Sequence, residues 1–86
     1  MKIEVLNIKE ENLLILKKIF QIVLDLDDEI DIENVRKIDT HSWDSLAIVS
    51  FQSAIQSEMG IELDLQEFFE ITSFKMLKLL LASKGY

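Results

Sequence analysis

Few side chains in this 86-residue chain have the type and spacing for chemistry. His41 is the single histidine and stands four residues before Ser45, so it is the one imidazole available to activate a serine nucleophile. No third residue completes a triad, and a solvated loop histidine is the better account of the pair. Hydrolysis is not expected, and no catalytic residue is assigned. The run Asp25-Leu26-Asp27-Asp28-Glu29 places carboxylates at the first, third and fifth positions of a calcium loop. Its sixth position, however, is Ile30 where glycine is needed, and its twelfth is Arg36 where a bidentate glutamate belongs. It reads as a solvated acidic cluster, with no metal ligand. The chain has no cysteine, and therefore no thiolate nucleophile, disulfide or thiolate metal site. Carboxylate pairs are too numerous to be informative, and no glycine-rich phosphate loop is present.

What remains is Trp43-Asp44-Ser45-Leu46. Here a serine opens an expected helix directly after a long loop, with an aspartate before it. Unpaired backbone N–H groups and the helix dipole make that place favourable for a phosphate. The plain reading of a serine at a helix start is a cap for that helix.

Apolar spacing supplies the elements that would hold this motif. Leu13, Leu16, Ile19, Phe20, Val23 and Leu24 recur on one face of a helix over residues 9–26, for which Asn7 and Glu10 form a cap pair. Residues 1–7 read as an N-terminal extension. Residues 27–44 show no clean period and read as a long loop, with room for one helical turn between Ile32 and Val35. Loops of that length in small domains usually serve a function. A second helix is expected over residues 45–59, ended by Gly60 in the left-handed conformation. Asp64 with Glu67 would cap a short third helix carrying Phe68 and Phe69. Ser73 would cap a fourth, with Phe74, Leu77, Leu80 and Leu81 on its apolar face and Gly85 near its end. The expected fold is all-α: a single domain over residues 1–86, four helices in a bundle, a long loop between the first two and a short third.

Within the second helix, Ile48, Phe51, Ile55 and Met59 form a core stripe. Leu46 and Val49 fall off it, on the side of Ser50, Ser53 and Ser57. An exposed apolar pair beside Ser45, bordered by small polar residues, suits transient docking of a partner protein.

Composition excludes other classes. Sixteen acidic residues against nine basic ones leave a net charge of −7. Nucleic-acid binding requires a basic face that displaces counterions, so no nucleic-acid partner is expected. With 49% hydrophobic residues the chain is too apolar for a disordered acidic tail. No run approaches the length of a membrane span, and the N-terminus has no secretory pattern. A cytoplasmic monomer is the expectation.

Trp43-Asp44-Ser45-Leu46, together with Glu58-Met59-Gly60-Ile61-Glu62-Leu63 and Ile71-Thr72-Ser73-Phe74, resembles the acyl carrier protein family over nearly the whole chain. The resemblance implies a four-helix bundle whose serine, here Ser45, carries a covalent 4′-phosphopantetheine arm derived from coenzyme A, with Asp44 as part of the motif. The arm would hold an acyl or aminoacyl group as a thioester. The protein itself would not be an enzyme. Its implied partners are a phosphopantetheinyl transferase, an acyl- or aminoacyl-loading enzyme and a downstream synthase or transferase. Two departures bear on the pathway. Ser42 stands where the family commonly has glycine. The second helix, densely acidic in fatty-acid carriers, has Ala47, Ser50, Gln52, Gln56 and Ser57, with Glu58 its only acid. That favours a specialised polyketide, nonribosomal peptide or related pathway over housekeeping fatty-acid synthesis. The alternative from a different class is an unmodified helical interaction module that uses the Leu46/Val49 face.

Overall fold

A computed structural model describes residues 8–86 of the chain. The extension assigned to residues 1–7, and with it Asn7 as half of a cap pair, lies outside the described residues. Four α-helices follow in order: α1 (Glu10–Val23), α2 (Ser45–Met59), α3 (Leu65–Glu70) and α4 (Phe74–Ser83). Two short 3₁₀ turns, Ile32–Asn34 and Lys37–Asp39, lie in the loop between α1 and α2. The described residues are therefore all-α, with one isolated antiparallel bridge, Arg36 to Ser73, in place of any sheet. No helix among them is long and apolar enough to cross a membrane.

The helix starts follow local chemistry, with one exception. Asp64 and Glu67 form the reciprocal capping box at α3, and the Met76 N–H donates to Ser73 Oγ at α4 over 3.0 Å. At α2, Gly60 ends the helix with φ of +66°. The exception is α1, whose start at Lys9 has no side-chain cap. Glu10 and Glu11 in its first turn oppose the positive end of the helix dipole instead. This helix also stops short of the expected residue 26. Asp25 adopts φ of +52°, and the Leu26 N–H turns back to the Gln21 carbonyl over 3.0 Å. That wrap closes α1 as a C-terminal glycine would, using a residue type that tolerates the left-handed region.

The core is built around an aromatic cluster. Phe20 of α1 stacks on Phe51 of α2 with ring centroids 4.4 Å apart. Its other contacts are edge-to-face, with Phe74 of α4 at 4.9 Å and Trp43 at 5.4 Å. Such contacts add to the stabilisation that area burial alone provides. Leu16, Ile48, Ile55, Leu77 and Leu81 fill in around the rings, all within 1% exposure. The expected stripes hold at their centres and soften at their edges: Leu13, Val23, Met59 and Leu80 are only partly buried.

The long loop is tied down rather than free. The Lys37 N–H donates to the Thr72 carbonyl over 2.8 Å, and the Phe74 N–H donates to Val35 over 3.0 Å. These bonds zip the middle of the loop to the corner before α4. The loop's 3₁₀ turn at Lys37–Asp39 carries no apolar period and has no counterpart in the sequence reading.

Candidate functional site

Ser45 is the first residue of α2, and the chain reaches it through an anchored approach. Ser42 Oγ donates to the Leu24 carbonyl over 2.8 Å, pinning the loop to the end of α1. Trp43 follows, 4% exposed and wedged against Phe20 and Phe51. Asp44 then turns outward and accepts the Ala47 N–H at 2.9 Å. With Trp43 buried on one side and Ala47 and Ile48 buried on the other, the start of α2 has a fixed position on the core.

This geometry corrects the reading of Ser45 as a cap. The N-cap is Asp44, one residue earlier, with its backbone extended and its carboxylate on the N3 amide. Ser45 is exposed, and no described side chain or backbone group bonds its hydroxyl. Capping therefore does not occupy the Ser45 oxygen, which faces solvent at the positive end of a 15-residue helix. An anion attached there would sit where the N-terminal dipole favours it.

The neighbouring apolar pair stands where the phase of α2 predicts. Leu46 is 77% exposed and Val49 47%, while Ala47, Ile48, Phe51 and Ile55 are buried. Ser50, Ser53 and Ser57 are exposed beside them. The face next to Ser45 is thus apolar with a small polar border, and Glu58 is the only acid of α2.

The other candidates stay apart from this site. His41 is exposed, and no hydrogen bond joins it to Ser45 among the described residues. Within the acidic loop, Asp31 accepts from the Glu33 N–H and from Asn34, capping a 3₁₀ turn. Asp28 accepts from Gln21. No group of three or more metal-ligating side chains converges among the described residues.

Two contributors were not visible as such in the sequence. Trp43 belongs to the core as well as to the motif, which only its aromatic type could have hinted at. Glu33 lies between Lys78 of α4 and Lys17 of α1, 3.4 Å from the latter. The Lys78 hydrogen bond, reinforced by Lys17, holds its carboxyl below the ordinary 4.5, against the opposing effect of partial burial. No protein-family model, no curated protein and no solved structure matches the chain.

Proposed function

We propose that this protein is a carrier whose Ser45 bears a 4′-phosphopantetheine arm and which presents an acyl or aminoacyl group to partner enzymes. The observation that carries this reading is the division of labour at α2: Asp44 caps the helix, which leaves an exposed serine hydroxyl unengaged at its N-terminus. A serine there for capping alone would be redundant. The long tethered loop before α2 and the six-residue α3 are in keeping with the acyl-carrier type of four-helix bundle that the sequence resembles.

The residues present fit the group. On attachment, Ser45 Oγ forms a bond to the pantetheine-side phosphorus of coenzyme A. The pyrophosphate P–O bond breaks, and 3′,5′-ADP leaves with the bonding electrons. The hydroxyl proton passes to a base of the transferase. Once bound, the arm supplies a terminal thiol that holds the cargo as a thioester. The chain's own contribution is to fix the attachment oxygen on a rigid helix start and to offer Leu46 and Val49 beside it as the surface for the transferase, the loading enzyme and the downstream synthase or transferase. Because α2 has one acid, that docking relies on apolar contact more than on charge, which fits a polyketide, nonribosomal peptide or other specialised pathway.

The exposure of Leu46 and Val49 also favours a second reading, an unmodified interaction module using the same face. Intact mass separates the two. After incubation with coenzyme A, Mg²⁺ and a broad-specificity phosphopantetheinyl transferase, the parent should gain one arm and Ser45→Ala none. Mass addition on the alanine variant would show that the attachment residue is another one. An unmodified parent would leave the interaction module.

A further inference from the structure

Trp43 is the chain's only tryptophan, and its indole N–H poses a problem that the core does not solve. The nitrogen is screened from solvent, yet it donates to no acceptor among the described residues. Leaving a donor both desolvated and unbonded is unfavourable, and native structures rarely do so without a reason. The rings that pack on Trp43, Phe20 and Phe51, have no acceptor in their side chains.

The same tryptophan lines a groove of about 800 Å³, within the roughly 300–1,000 Å³ typical of small-molecule sites. One wall is the loop at Arg36, Lys37, Ile38, Thr40 and His41, and the other is Thr72 and Ser73 before α4. The bridge between Arg36 and Ser73 and the bond from the Lys37 N–H to Thr72 hold these walls together. Their chemistry is mixed. Arg36 is committed to Asp39, whereas Lys37 pairs with no carboxylate among the described residues. Ile38 is 85% exposed and apolar. The Thr72 hydroxyl donates to Met76 Sδ and the Ser73 oxygen accepts the Met76 N–H, which leaves the Ser73 O–H as a donor.

We propose that this groove is the resting place of the arm carried by Ser45, with the Trp43 indole N–H donating to one of the arm's amide carbonyls. The inference rests on the reading of Ser45 as the attachment residue. A pantetheine arm presents a phosphodiester, a geminal dimethyl group, a hydroxyl and two amides in succession. Lys37, Ile38, the Ser73 O–H and the orphaned indole are the complementary set. Trp43 precedes Ser45 by two residues, a separation of at most about 7 Å along the backbone and shorter than the arm itself. The donor is screened from solvent, so the packing around it must shift to admit a carbonyl. Covalent attachment favours that step, because a tethered group acts at an effective concentration on the order of millimolar.

The single indole makes the test direct. Protein labelled with ¹⁵N is converted to the arm-bearing form and full conversion is confirmed by intact mass. The one indole cross-peak should move downfield, and its exchange with solvent should slow by roughly two- to tenfold, the factor one hydrogen bond supplies. Ile38→Asp, at an exposed position, should reverse part of that shift and raise the reactivity of the arm's thiol toward a maleimide. Trp43→Phe should raise the thiol's reactivity as well. If mass shows the arm on Ser45 while the indole signal stays where it was and Ile38→Asp leaves thiol reactivity unchanged, the groove is not the resting place and the carrier reading survives. If no arm attaches, both fall.

Discussion

Because the Asp44 carboxylate receives the Ala47 N–H, capping of α2 and the attachment proposed for Ser45 involve two adjacent residues and can be separated by mutation. Asp44→Ala removes a cap bond and should cost about 1 kcal/mol of stability. Ser45→Ala removes an exposed hydroxyl with no described partner and should stay within about 0.5 kcal/mol of the parent in a denaturant titration. The order matters more than the sizes. A larger loss for Ser45→Ala than for Asp44→Ala would return the capping role to the serine and remove the main support for a free attachment oxygen. Which of the two residues caps was hidden in the sequence, because both are good N-cap types and the helix boundary shifts by one residue between the alternatives.

At the scale of elements, α2 is the helix whose two faces have to differ. Its buried side is fixed by Ile48, Phe51 and Ile55, so Val49 is carried to the outside by helical phase. Val49→Asp should therefore melt within a few degrees of the parent, as surface substitutions do. If the Leu46/Val49 face docks partner enzymes, the same change should slow attachment of the arm or loading of cargo, since a carboxylate pressed into an apolar contact without a partner is costly. Added salt should restore only part of the rate, because screening relieves long-range repulsion but not desolvation. Unfolding of the variant would place Val49 in the core. Unchanged rates in a folded variant would mean that partners dock elsewhere. This helix was legible because its apolar period is regular and Gly60 marks its end. The C-terminus of α1 was not, because apolar Leu24 and Leu26 continue the period while Asp25 turns the backbone. Leu24 remains buried in the core even so, as its spacing requires.

The whole molecule depends on contacts between elements distant in sequence, and two variants probe them. The first is Phe51→Ala, which removes a ring stacked on Phe20 and packed against Trp43. It should cost roughly 3–5 kcal/mol, a large share of the approximately 4–13 kcal/mol expected of a chain this size, and a melting midpoint near the parent's would contradict the packing described. Burial of that ring followed from helical phase. No local pattern, in contrast, pairs the Arg36 backbone with Ser73, or Glu33 with a lysine 45 residues away. Glu33 joins the first 3₁₀ turn to α1 through Lys17 and to α4 through Lys78, and its carboxyl is held below 4.5 mainly by the Lys78 hydrogen bond. In the window below 4.5 the unfolded chain therefore binds more protons at this site than the folded one, so stability rises with pH there. The contribution is fully present above the unfolded value and is lost as the pH falls through the lower folded one. Glu33→Gln should accordingly lower the melting midpoint at neutral pH by about 2–8 °C, taking about 0.5–1 kcal/mol for partly exposed pairs in a domain of this size. The gap should shrink in added salt and close in acid, where the parent's own carboxyl is protonated and both lysines face a neutral group in either protein. A gap of unchanged size in acid would mean that Glu33 holds the loop by shape and hydrogen bonding, with its charge contributing nothing.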